Sequence, residues 1–504
     1  MRLSRRPRRV VGLAVLVVAL SGCAAPPRAM HGVSVGDVAS DAAVLWSRSD
    51  RAARMRVEVW PERAPDGSHT RHYEAPVTAL RDFTGRVSLR DLEPDTAYAY
   101  RVRFEAGPRP FARAGPAREG RFRSAPDPTQ ARALRIAFSG DLAGQNVCRD
   151  AELGFPIFRE LSRARPDIFI GLGDMIYGDG VCEARGLYGN AQIPGDFGPA
   201  TDIQGYWAHW RYTRADAHLQ ALLASTAYLP IWDDHEVVND AGPHQDTRDA
   251  APYRAGDHLL PAGLQAFLDY NPVEESALRP ATPGVGGPLP SLHRSARWGR
   301  HLEIFVLDTR RQRDPNRAPD RDDAPKTLLG AAQRAWLEQG LAESDATWKL
   351  VVSSVPIAVP TGSAAARDGW SGLGGDTGFQ RELGGVLRSL HRAGVHNSLW
   401  ITTDIHFATV FRYAPFPDSA LRIHEIASGP LSAGLFPKRA FDPAFGAEPL
   451  FFYGPERPED LRDYADAVRW FNFGILDVAE DGSLELQVVN GRGESVYRER
   501  LAPR

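Results

Sequence analysis

The chain has 504 residues, 43% of them hydrophobic and 24% charged, with a formal net charge of -3. That length exceeds one ordinary domain and supplies enough apolar material for large buried cores. The near balance of acid and base gives no reason to expect nucleic acid or another polyanion as a partner, and no glycine-rich loop ending in Gly-Lys-Ser or Gly-Lys-Thr marks a nucleotide-binding protein.

Residues 1–23 read as a targeting segment. Arg2, Arg5, Arg6, Arg8 and Arg9 precede an apolar stretch from Val10 to Leu20, which is too short to span a bilayer as an ordinary helix. It ends in Leu20-Ser21-Gly22-Cys23, which resembles the lipobox of bacterial lipoproteins. The resemblance implies lipidation of Cys23 and an exported protein anchored to the membrane in the cell envelope, on its periplasmic or extracellular face. Ser4-Arg5-Arg6 also admits the twin-arginine export route. Residues 24–30 form a spacer.

From 31 to 124 the chain reads as short strands, among them Ala43-Val44-Leu45-Trp46, Met55 to Trp60 and Val87-Ser88-Leu89. The run Leu92-Glu93-Pro94-Asp95-Thr96-Ala97-Tyr98 resembles the tyrosine corner of fibronectin type III domains, with Tyr98 as the residue that caps a loop through its hydroxyl. This β-sandwich concentrates no titratable residues and is expected to bind or space rather than catalyse.

A turn-rich linker, Ser124-Ala125-Pro126-Asp127-Pro128, leads into a second domain over 130–500, where apolar strands alternate with helical segments as in α/β folds. Strands are predicted at Leu134 to Phe138, Ile168 to Leu172, Tyr228 to Trp232, Leu302 to Leu307, Leu350 to Val355, Leu399 to Thr402 and Phe471 to Val478, with helices at Phe155 to Ala164, Leu329 to Ala342 and Phe379 to Ala393. The Gly-, Pro- and aromatic-rich segment 181–227 is expected to cover the site as a lid. Its His209 and His218, and His244 beyond it, read as ordinary loop histidines.

The chemistry gathers where strands stop. Ser139-Gly140-Asp141, Gly173-Asp174-Met175-Ile176-Tyr177, Asp233-Asp234-His235-Glu236 and Asp404-Ile405-His406 each follow a predicted strand. One such Asp is an ordinary cap or turn residue. Four such sites at the carboxyl ends of α/β strands share one crevice, where carboxylates repel unless a cation neutralises them. Bound metal is the expectation. Cys148 and Cys182 follow strands in an exported chain and are expected to form a bridge, the alternatives being two buried thiols or a metal ligand; Cys148 lies too far beyond Asp141 to be counted as one.

These blocks resemble the calcineurin-like metallophosphoesterase superfamily and, within it, the alkaline phosphatase D (PhoD)-like family. His31 to Asp37, Leu307-Asp308-Thr309-Arg310, Leu329 to Leu337 and Phe471-Asn472-Phe473-Gly474 extend the likeness along nearly the whole mature chain. It implies a layered β-sandwich flanked by helices and two or more metal ions. Asp174 would bridge them, with Asp141, Tyr177 and His406 completing the first site and Asp234 and Asp404 the second, helped by Asn239. A phenolate suits ferric iron, and the family implies calcium beside it. Asp234 and Asp404 replace the superfamily's Asn and His, and Ser353 or Ser354 stands where a further His is expected, a shift toward calcium, magnesium or manganese and away from zinc. Many chains of this family carry a Cys near the first block, where this one has Asp141-Leu142.

The resemblance makes His235 the residue that steadies and protonates the leaving group. Asp233 and Glu236 would support ligands or cap, and Arg310 would either fork onto a phosphate or form a surface salt bridge. The expected function is an exported metal-dependent phosphoesterase acting on phosphomonoesters, phosphodiesters or both. The alternatives are a phospholipase D-like or teichoic-acid-type phosphodiesterase and, in another class, a cell-envelope binding lipoprotein without catalysis.

Overall fold

A computed structural model describes residues 25–64, 67–107, 112–243, 256–278 and 290–504. The leader, Cys23 and His244 lie outside them. In chain order the strands are β1 (Ala29–Gly36), β2 (Ala43–Ser49), β3 (Ala53–Pro61), β4 (Arg71–Val77), β5 (Thr84–Leu89), β6 (Ala97–Ala106), β7 (Arg113–Ala114) and β8 (Arg118–Arg123). Next come β9 (Leu134–Ser139), α1 (Ile157–Ala164), β10 (Ile168–Gly171), α2 (Ile203–Arg214), α3 (Ala217–Leu223), β11 (Ala227–Pro230) and α4 (Gly256–Tyr270). Then follow β12 (Arg294–Trp298), β13 (Leu302–Val306), α5 (Gly330–Glu343), β14 (Trp348–Val352), a small hairpin of β15 (Gly362–Ser363) and β16 (Ala366–Arg367), and α6 (Gln380–Arg392). The chain closes with β17 (Ser398–Thr402), β18 (Ala408–Tyr413), β19 (Ile423–Ala427), β20 (Ala447–Tyr453), α7 (Tyr464–Trp470), β21 (Asn472–Val478), β22 (Leu484–Asn490) and β23 (Ser495–Leu501).

Two mixed sheets face each other. One runs β23-β22-β21-β9-β10-β11-β1-β2-β5 and the other β12-β13-β14-β17-β19-β18-β20. Strand side chains alternate between faces, and the sequence follows that rule. Ile136, Phe138, Ile168 and Ile170 of the first sheet meet Leu302, Ile304, Val306, Leu350, Val352, Leu399 and Ile401 of the second in one core. The intervening residues point outward: Ala137 and Phe169 toward the helices α1 to α4, and Phe305, Val351 and Trp400 toward α5 and α6. Helices thus cover both outer faces of a double sheet.

Three of the first strands join the larger sheet. β1 pairs in parallel with β11 through Val35↔Ala227 and Gly36↔Tyr228, so β1, β2 and β5 complete the larger sheet. The remaining N-terminal strands form a sheet in the order β4-β3-β6, with β7 and β8 both on β6. Its Val57, Val59, Tyr100 and Val102 share a continuous core with Val33, Leu45, Ile136 and Leu302. The Tyr98 hydroxyl accepts the Glu93 amide at 2.8 Å, tying the loop before β6. Buried Asp82 binds Arg48 at 2.9 and 3.0 Å, Arg211 of α2 at 2.7 Å, and Tyr270 of α4. The linker at 124–128 leads from these strands into β9.

The segment expected to cover the site contributes two helices to the core. α2 and α3 are buried against the outer face of the nine-stranded sheet through Tyr206, Trp207, Trp210, Leu219 and Leu222. His209 lies among them, with Nε2 3.1 Å from the Gly198 carbonyl and its ring 3.9 Å from Phe197. A chain beginning at residue 130 should lack β1 beside β11 and show no cooperative thermal transition. Unfolding of that fragment at the full chain's Tm would contradict the shared sheet.

Candidate metal centre

β9, β10 and β11 lie side by side and parallel, and β17 belongs to the facing sheet. The loops leaving these four strands meet. The Thr403 hydroxyl donates to Asp141 Oδ2 at 2.5 Å, and His406 Nε2 is 3.6 Å from Asp141 Oδ1 and 2.9 Å from the Tyr177 hydroxyl. The His235 amide donates to Asp174 Oδ1 at 3.1 Å. One ligand atom each from Asp174, Asp234 and His235 lie within 4.8 Å of one another. Asp141, Asp174, Asp404 and His406 adopt left-handed backbone with φ of 61°, 52°, 75° and 57°, a conformation that costs a non-glycine residue about 1–3 kcal/mol and collects at functional sites. Gly173 permits the turn into Asp174: its φ is 103°, and a Cβ there would lie 2.6 Å from that of Asp233.

Asp141 Oδ1, Asp174 Oδ2, Asp234 Oδ1 and Asp404 Oδ2 are all buried without a hydrogen-bond partner. An orphaned carboxylate oxygen is costly, and four around one crevice fit cations held between them. In the metal-free protein, burial first and neighbouring acids second push Asp141 up to about 7, and Asp174 and Asp404 well above the usual carboxylate range. Burial and the same acids hold the Tyr177 phenol protonated.

The two histidines take opposite forms. Burial pulls His406 down to about 3, and its Nδ1 donates to the Gly434 carbonyl, leaving the Nε2 lone pair toward Asp141 and Tyr177, as a metal ligand requires. Burial opposes the charge on His235 too, but Asp179, 2.7 Å from Nδ1, and then Asp234 push it up to about 10. His235 is thus an imidazolium with Nε2 carrying a proton, its ring 4.1 Å from that of Tyr177.

Supporting residues fall into place around this set. Glu236 accepts the amides of Asp174, Met175 and Asp233 at 3.0, 2.8 and 2.8 Å, joining the loops after β10 and β11. Asp233 accepts Arg310 Nε at 2.5 Å and the Ser354 hydroxyl at 2.6 Å. Ser353 turns its hydroxyl to the Val355 carbonyl.

Two expectations need correction. Arg310 is fully buried and committed to acids: its fork holds Asp368 at 2.9 and 2.7 Å, Nε holds Asp233 at 2.5 Å, and Nη2 lies 3.8 Å from Asp234 Oδ1. Asn239 is exposed, and its amide binds Asp179 at 3.1 Å. The acids gathered beside Asp234 are Asp240, whose amide donates to Asp234 Oδ2 at 2.5 Å, and Asp368. Three further residues went unread. Asp179 carries no pattern of its own two residues after Tyr177. Thr403 stands in a block read only for its Asp and His. Arg439 is an exposed cation without hydrogen bond or ion pair among the described residues; it lies 5.1 Å over the ring of Phe436, which stacks on His406 at 4.3 Å. Cys148 and Cys182 are joined in a disulfide with Cα atoms 5.8 Å apart, which removes Cys148 as a ligand.

A family model described as PhoD-like phosphatase matches residues 138–473, and one for the N-terminal domain of PhoD-like phosphatases matches 19–126. Alkaline phosphatase D of Bacillus subtilis (strain 168) is 27% identical over 401 residues, covering 74% of this chain and 64% of that relative, so the match spans less than two thirds of the relative's length. The solved structure titled "Structure of PhoD" aligns with a TM-score of 0.68 at 19% identity over 94% of this chain and 92% of that one. A purple acid phosphatase from yellow lupin (Lupinus luteus) seeds aligns with a TM-score of 0.59 at 12% identity, covering 94% and 74%. Both likenesses concern the fold.

Metal-free protein should lose stability as pH rises from the ordinary carboxylate value of 3.8 to about 7, because folded Asp141 keeps a proton that the unfolded chain has released. Thermal melts against pH should show that fall flattened by added cation. Arg310→Met should destabilise by about 3–5 kcal/mol by leaving buried acids without countercharge; wild-type melting with only a raised KM would restore the phosphate role.

Proposed function

Since the chain belongs to the PhoD-like phosphatase family, we propose that it is a metal-dependent phosphoesterase that hydrolyses phosphomonoesters, phosphodiesters or both. The observation that carries this reading is the set of four unpartnered carboxylate oxygens at the ends of β9, β10, β11 and β17. Asp141, Asp174, Tyr177 and His406 would hold one cation and Asp174, Asp234 and Asp404 the other. Such a pair supplies positive charge to the phosphate oxygens and activates the attacking water. Ferric iron with calcium suits a phenol beside an all-oxygen site, with zinc, manganese and magnesium as alternatives.

The chain's own groups do the rest. His235, anchored through Nδ1 by Asp179, offers its Nε2 proton to the departing oxygen. Arg439 replaces Arg310 as the cation open to a phosphate oxygen. Glu236 and Arg310 keep the ligand loops in position from behind. We further propose that Cys23 is lipidated and that the protein works at the outer face of a membrane after export, by the twin-arginine route or the general one. The sandwich around Tyr98 would be of fibronectin type III type and serve as a spacer.

Asp174→Asn should lower both bound metal, by elemental analysis, and p-nitrophenyl phosphate hydrolysis by at least about a hundredfold. His235→Ala should lower hydrolysis by about 10²–10⁴ with metal retained. Full activity in Asp174→Asn would remove the two-metal reading.

A further inference from the structure

A groove of about 270 Å³ opens along β18 and β20 and reaches Arg439, whose guanidinium lies over the Phe436 ring that stacks on His406. It begins at Phe407, the residue after His406, and its walls are rings: Phe407 lies 5.3 Å from Phe452, and Phe411 5.5 Å from Phe441. Two cations stand at its rim. Lys438 Nζ sits 4.9 Å over the Phe452 ring and Arg439 over Phe436, and neither side chain has an ion pair among the described residues. No carboxylate lines the groove, so it is locally positive in a chain whose net charge is -3. Thr409, 4% exposed, also lines it, and its hydroxyl is buried without a hydrogen-bond partner.

We propose that this groove is a subsite for a planar aromatic ring carried by the phosphoester, so that esters with a ring beside the phosphate bind better than those with a compact alkyl group. The assignment rests on the phosphoesterase reading above. Phenylalanine edges and faces suit a ring, and the rim cations favour both its π-face and the adjoining phosphate. The volume, near the lower bound of about 300 Å³ for small-molecule pockets, accommodates one ring system. Arg439 joins the two regions, lining the groove while its guanidinium lies 5.1 Å over the Phe436 ring that stacks on His406. An acyl chain is the competing occupant, but it offers no π-face to the rim cations.

The test is calorimetric binding of phenylphosphonate, methylphosphonate and octylphosphonate to the full, metal-loaded chain. Phenylphosphonate should bind at least about tenfold more tightly than methylphosphonate, a difference of about 1.4 kcal/mol. The ratio should shrink to about threefold or less in Phe441→Ala, a substitution at a ring 36% exposed and so compatible with folding. Equal affinities for methyl and phenyl, a phenyl preference untouched by Phe441→Ala, or octyl binding more tightly than phenyl would each overturn the assignment. Ester hydrolysis without any aromatic preference removes the groove and leaves the phosphoesterase standing. Phe441-dependent binding in a protein that hydrolyses no ester does the reverse.

Discussion

In the crevice at the strand ends, the carboxylates of Asp141, Asp174, Asp234 and Asp404 repel one another, and each keeps a buried oxygen with no hydrogen bond. Much of the surrounding structure serves to hold this unfavourable arrangement. Glu236 gathers three backbone amides from two loops, and Thr403 pins Asp141. Arg310 spans Asp233 and Asp368 behind the ligand loops. Left-handed backbone at four of the acids and histidines adds strain that only a well-packed scaffold sustains. Cations between the oxygens would reverse the sign of the whole arrangement, turning mutual repulsion into shared attraction.

That scaffold is stiffened from two directions. The double sheet buries a continuous core that extends into the N-terminal strands, so the platform under β9, β10 and β11 includes residues from the first hundred. On the other side, the Cys148–Cys182 disulfide closes a loop of 34 residues that contains Asp174 and Tyr177. In the chain-entropy account a closure of that length stabilises by about 3–4 kcal/mol. It also limits how far the Tyr177 loop can drift from Asp141.

Around the acids the site is asymmetric. On one side the charged His235 is oriented by Asp179. On the other the neutral His406 is oriented by Gly434 and covered by Phe436, with Arg439 and the aromatic groove beyond. One histidine thus favours its charged form and the other its neutral form, although the two have the same intrinsic chemistry. The difference comes from whether the partner of Nδ1 is a carboxylate or a carbonyl.

From the sequence alone came the strands β9, β10, β13, β14, β17 and β21 to within a few residues, because each alternates or runs apolar as its two buried faces demand. The acids were legible for a related reason: an Asp placed directly after such a strand lies at the sheet's carboxyl edge whatever its neighbours do. What only the tertiary structure decided was partnership across distance. Arg310 turned inward because Asp368, 58 residues away, arrives on its buried side. β1 joined the larger sheet because β11 left an edge open to it. Asp179, Thr403, Arg439 and the groove acquired meaning only when separate loops met. Periodicity along a chain records which face of an element is buried, but it carries no record of which distant group will stand opposite, and that choice sets charge, tautomer and access at this site.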